Sequence, residues 1–197
     1  MDRETHALES EFLVALYDLV QLLQGTRRSG VLIGGVAVGL LGYSRATADI
    51  DMIIEGTGID LTDFLEQART AGFEPRVADA LEFARRTYVV PLKHTATGVP
   101  IDLSLAFTPF EHEAIANAVS VSLPTVSAPV AHPEDLVIMK CVAQRPIDRV
   151  DIQELYRIYA SQIDLNRVRY WVEQFAEAFD DPDLWTRVAP LFSADER

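Results

Sequence analysis

GGVAVGLLGYSRATADIDMII, Gly34 to Ile54, puts two adjacent glycines at the end of an apolar run and two aspartates, one residue apart, at the start of the next. Thirteen residues separate Gly35 from Asp49. Upstream, Val31–Gly35 reads as a short buried strand ending in glycine, and Val36–Gly42 as one or two helical turns. Downstream, Asp49–Ile54 reads as a second strand. Successive strand side chains point to opposite faces, so Asp49 and Asp51 share one face while Ile50 and Met52 share the other. Two carboxylates side by side repel, and they persist most easily beside a cation or in bulk water. Oxygen ligands of this kind suit Mg²⁺, which completes its shell with water and substrate phosphates. A Gly-Gly pair lets backbone N–H groups approach a bulky anion with no Cβ in the way, and a helix starting at Val36 would add favourable partial charge. Phosphate and metal sites side by side point to a metal–nucleotide.

A third carboxylate lies in PIDLSL, where Asp102 alternates with Ile101 and Leu103 in another apolar strand. Three aspartates on adjacent strands can hold two divalent ions, Mg²⁺ or Mn²⁺. Asp49 and Asp51 would bridge the ions, and Asp102 would serve the one beside the attacking hydroxyl and take its proton. Each element has a plainer reading by itself: a tight turn for the glycines, a solvated strand face for Asp-Ile-Asp. Their order is what favours the metal–nucleotide site.

The rest of the chain organises around this stretch. Leu8 to Leu23 shows helical spacing and Gly25 follows as a stop. Asp60–Gly72 is a helix; TYVVPL and VPIDLSLA flank KHTATG as a hairpin; FEHEAIANA is a short helix; VSVSLPTVS is an edge-strand segment, because Pro124 cannot donate to a ladder. After Pro129 the pattern becomes helical, over 133–144, 147–160, 164–179 and 182–191, with HPEDL as a start signal. The expected fold is α+β: a nucleotide-binding mixed-sheet core with an N-terminal helix over 1–129, and a helical region over 130–197 that walls the carboxylate face.

Composition narrows the partners. The 197 residues carry a net charge of −13, and both 1–129 (17 acids, 9 bases) and 130–197 (13 acids, 8 bases) are acidic. Neither half has the basic surface that grips nucleic acid non-specifically. No apolar run is long enough to span a membrane, and the acidic N-terminus lacks the basic segment of a signal peptide. The single cysteine, Cys141, fits a reducing cytoplasm. The four histidines show no ligand spacing, so zinc is not expected.

The series Gly34-Gly35, Asp49-Ile50-Asp51, Asp102 resembles the DNA polymerase β-like nucleotidyltransferases. The fuller string from Gly34 to Ile54, with HPEDLVIMKCVAQRPIDRVDI, looks most like the AbiEii-type nucleotidyltransferase toxins. The resemblance covers roughly 30–155 and leaves the last forty residues without a motif. It implies Mg²⁺-dependent transfer of a nucleoside monophosphate from NTP, such as ATP, to an acceptor tRNA or protein, with an antitoxin as a possible partner. It implies that Asp49, Asp51 and Asp102 bind metal and that Gly34, Gly35, Arg45 and Lys140 contact the nucleotide. Asp148 and Asp151 match acids of the same segment and could simply pair with Lys140 or Arg145. Two other readings stand beside this one: a small-molecule or antibiotic nucleotidyltransferase, and a non-catalytic nucleotide-binding module on the same fold.

Overall fold

The structure, a computed structural model, describes residues 3–43, 47 and 49–192. The chain divides into two compact units, Met1–Val36 with Ala46–Val130, and Ala37–Arg45 with Ala131–Arg197. The fold is α+β, with a mixed seven-stranded sheet among the described residues.

In the first unit the elements run α1 (Arg3–Gly25), β1 (Gly30–Ile33), the start of α2 (Gly34–Leu40), β2 (Ile50–Glu55), α3 (Leu61–Thr70), β3 (Phe73–Pro75), α4 (Ala80–Thr87), β4 (Val89–His94), β5 (Pro100–Ala106), α5 (Pro109–Ala116), β6 (Val119–Ser122) and β7 (Ser127–Val130). The strand order is β3-β4-β5-β2-β1-β7-β6. β2 runs parallel to β5 and antiparallel to β1, so the two apolar strands that carry aspartates are direct neighbours.

Register assigns the faces. Ile50, Met52 and Ile54 of β2 pair with Ile101, Leu103 and Leu105 of β5, and β4 adds Val90 and Leu92 to the same layer. All eight are buried. Met52, Val20 and Leu23 of α1 and Ile115 of α5 line one cavity, which puts both helices on this apolar face. The alternate positions, Asp51 of β2 and Asp102 of β5, emerge on the opposite face, directly paired.

Local chemistry accounts for the boundaries. Asp60 caps α3 by accepting from the backbone N–H groups of Thr62 and Asp63. Thr108 and Glu111 form a capping box at α5. β6 and β7 pair as a hairpin, with Pro124 in the connection and β6 at the sheet edge. Sequence reading assigns no element to 73–86, where the structure places β3 and nearly all of α4. A three-residue strand is too short to show a period, and α4 buries only Ala80 and Ala84. β1 also ends two residues earlier than expected, because the chain turns at Gly34 (φ +68°) into α2.

The second unit is helical: the rest of α2, then α6 (Pro133–Ala143), α7 (Pro146–Tyr159), α8 (Leu165–Ala178) and α9 (Leu184–Val188), with single 3₁₀ turns at Ala160–Gln162 and Ala189–Phe192. Its core gathers Leu136, Val137, Ile138, Cys141, Ile152, Leu155, Val168 and Val172, all buried.

Candidate active site

The site grows from the starts of β2 and β5. Asp51 is the second residue of β2 and pairs in register with Asp102 of β5; Asp49 sits just before β2. One carboxylate oxygen from each of Asp49, Asp51 and Asp102 lies within 4.8 Å of the others, and all three residues are half-buried. Three hard oxygen donors at this spacing, with no sulfur or nitrogen among them, fit Mg²⁺ or Mn²⁺. The Asp49 carboxylate accepts a hydrogen bond from Thr47 Oγ1 at 2.9 Å, which limits its rotamers.

Gly34 has a steric role here. It follows Ile33, the register partner of Asp51, and its backbone is left-handed. A Cβ built on it would run into the Asp51 carboxylate and lie 2.9 Å from Asp51 Cβ. Glycine is therefore required twice, for the turn and for the space the carboxylate fills. Gly35 is the second residue of α2, and Arg45 lies outside the described residues.

Arg76 is a residue that sequence reading misses. It follows β3, and its guanidinium donates to Asp102 Oδ1. Its Nε donates to the Leu92 carbonyl at 2.9 Å, and its backbone N–H to the Pro91 carbonyl at 2.9 Å. Pro91 is the register partner of Asp102, so strand pairing alone carries Arg76 to the triad. Nothing in the local string EPRVADA signals this; it depends on the order β3-β4-β5.

Lys140 belongs to the second unit, on α6, and is 3% exposed. Its ammonium lies 3.0 Å from Asp148 Oδ1 and 2.7 Å from Asp151 Oδ2, both fully buried on α7. Asp148 also accepts from the Arg145 backbone N–H at 3.0 Å and from Arg145 Nε at 2.8 Å, so it caps α7 while binding two cations. Burial pushes the Asp148 carboxyl up, but the hydrogen bonds from Arg145 and Lys140 outweigh it and hold the group below the ordinary carboxylate value. On α6, burial raises the Asp135 carboxyl against the opposing pull of Arg167, 2.7 Å away. Burial likewise pushes the Cys141 thiol up to about 12, which leaves it unreactive at neutral pH.

A cavity of about 580 Å³ opens on the apolar face of the first unit, lined among others by Met52, Glu55 and His112. None of the three aspartates lines it. The paired carboxylates, Asp51 and Asp102, lie on the other face of the sheet.

The sequence pattern of the family described as nucleotidyl transferase of unknown function (DUF2204) matches residues 13–184. The chain belongs to this family. It is a nucleotidyltransferase, and the matched span contains the triad, its flanking glycines and the Lys140 cluster. Solved nucleotidyltransferases share its fold. An antigenic nucleotidyltransferase-like protein from Paracoccidioides brasiliensis is 18% identical, with 91% of this chain and 93% of that one covered, at a TM-score of 0.55. The lincosamide antibiotic adenylyltransferase LnuA, lincomycin-bound, is 15% identical over 76% of this chain and 97% of its own, at 0.53. ANT(2")-Ia, in complex with adenylyl-2"-tobramycin, is 14% identical over 87% and 99%, at 0.54. At these identities the likeness is one of fold. No curated protein matches the chain significantly. The superfamily resemblance thus stands, while the AbiEii-type toxins specifically find no support in these matches.

Proposed function

We propose that this nucleotidyltransferase moves a nucleoside monophosphate from NTP to a hydroxyl of a small-molecule acceptor, releasing pyrophosphate. The observation that carries the reading is the triad: three aspartate oxygens within 4.8 Å, two of them from residues paired on parallel strands, with a glycine leaving room for one. Two divalent ions held by Asp49, Asp51 and Asp102 would supply Lewis-acid polarisation of the α-phosphate and neutralise charge on the departing pyrophosphate. Asp49 and Asp51 would be carboxylate ligands of the metal. Asp102 orients the acceptor hydroxyl and takes its proton. Gly34 and Gly35 present backbone rather than side chain to the triphosphate, and Arg45 and Lys140 enter as its candidate cationic partners. Catalysis rests on alignment and charge neutralisation rather than on a covalent intermediate.

A small acceptor is favoured over tRNA because the chain carries −13 and both halves are acidic. Antibiotic adenylyltransferases of the same fold act as the precedent, with ATP as the first donor to try. The buried, single Cys141 accords with work in the cytoplasm.

The test is label transfer from each α-labelled NTP, with Mg²⁺ or Mn²⁺, to pools of aminoglycosides and lincosamides, total RNA and cell protein. Label in the small-molecule pool, lost in Asp51→Asn, is the expected result. Label in RNA or protein instead would restore the toxin-like reading, with an antitoxin to be sought. Metal-dependent NTP binding without transfer to any pool would favour a binding module.

A further inference from the structure

We propose that Arg76 competes with divalent metal for Asp102: its guanidinium is the counter-charge of that carboxylate in the metal-free protein and yields it when a cation is coordinated. This rests on the metal–nucleotide reading above. Three carboxylates gathered within 4.8 Å repel one another, and a permanent cation on one of them relieves that repulsion. Arg76 is built into that position. Its backbone N–H is bound to the Pro91 carbonyl and its Nε to the Leu92 carbonyl, so the guanidinium is aimed by the β4 backbone and not by chance packing. Both partners of the pair are one-third exposed, 34% each, which leaves solvent screening incomplete.

The same placement opposes a metal. The Asp102 oxygen that accepts from Arg76 has less electron density to donate, and a fixed positive charge at contact distance repels a doubly charged ion. Arg76 would thus set the metal affinity of the site, keeping Asp102 in place while weakening the hold on the ion. A metal bound together with nucleotide triphosphate brings its own anions and overcomes this opposition more readily than metal alone. The triad would then favour a metal–nucleotide over the free ion.

The experiment measures Mn²⁺ binding to the full chain without nucleotide, by calorimetric titration or by the electron paramagnetic resonance of free Mn²⁺. The proteins are wild type, Arg76→Gln, Arg76→Lys and Asp51→Asn. Removing the charge in R76Q is expected to tighten Mn²⁺ on the order of tenfold. R76K, which keeps the charge but loses the fork to Leu92, is expected to stay near wild type. In chelator, R76Q is expected to melt lower than wild type, and R76Q with Asp102→Asn no lower than D102N alone. Unchanged or weaker Mn²⁺ binding in R76Q, with D51N still abolishing it, would overturn this inference and leave the metal site standing. R76K behaving like R76Q would also overturn it, since geometry and not charge would then matter. Mn²⁺ binding indifferent to D51N would remove the metal site itself, and this inference with it.

Discussion

Gly34 decides more than its place in a glycine pair suggests. Its left-handed φ and the Asp51 carboxylate lodged where a Cβ would be make two separate demands on one residue. Gly34→Ala is expected to destabilise the first unit by about 1–3 kcal/mol from backbone strain, measured by urea unfolding. It should also abolish label transfer even where the protein still folds, because Asp51 must move. Asp51→Asn and Asp102→Asn keep the shape and remove a charge. Each is expected to lower turnover at least 10²-fold, on the order of what losing one preorganised electrostatic group costs, with the melting temperature little changed. A loss of turnover that tracked a loss of folding would mean the aspartates were structural. The candidates Asp49, Asp51 and Asp102 are legible in the sequence because strand alternation and order are local properties. Arg76 is not, because it lies 26 residues from Asp102 and meets it only through two intervening strand pairings.

Between elements, the pairing of α6 with α7 turns on charge. Lys140 is the cation between two fully buried aspartates, and its removal would leave both without that counter-charge. Lys140→Met is expected to cost about 3–5 kcal/mol, the usual price of breaking a buried pair from one side, read from the unfolding of the second unit. Replacing Lys140, Asp148 and Asp151 together with apolar residues should recover much of that loss. The pH response follows from Asp148. Its carboxyl lies below the ordinary value in the folded chain, so the unfolded chain binds the proton more tightly. The stability it contributes is fully present above the ordinary carboxylate pKa and is lost as pH falls through the folded one. Asp135 runs the other way: its raised carboxyl lowers stability at neutral pH and relieves that cost on protonation. Acid unfolding of Asp148→Asn should therefore be less steep below about pH 4 than that of wild type, while Asp135→Asn should gain stability at neutral pH. HPEDL and RPID reveal where α6 and α7 begin, and Pro, an N-terminal acid and the cap suffice for that. That Lys140 turns inward onto α7 is a matter of packing, which periodicity alone does not report.

For the whole molecule, acidity is the property that reaches furthest. At −13, the chain attracts cations over a distance set by salt. If the acceptor is a polycationic small molecule, its KM should rise severalfold between low and physiological ionic strength, while a neutral acceptor's should not move. Steady-state kinetics at two salt concentrations would separate them. Saturating Mg²⁺ with NTP should raise the melting temperature of wild type and leave D51N unchanged, since a ligand of the folded state stabilises by mass action. Composition and local pattern by themselves determined the α+β class, the apolar strands, the glycine turn and the three aspartates, because burial periodicity and turn chemistry act over a few residues. The strand order decided the rest. It set Asp51 against Asp102 in register, brought Arg76 from β3 to the third carboxylate, and exposed Gly34's missing Cβ as the room Asp51 occupies. These are contacts between segments far apart in the chain, and only the assembled sheet brings them together.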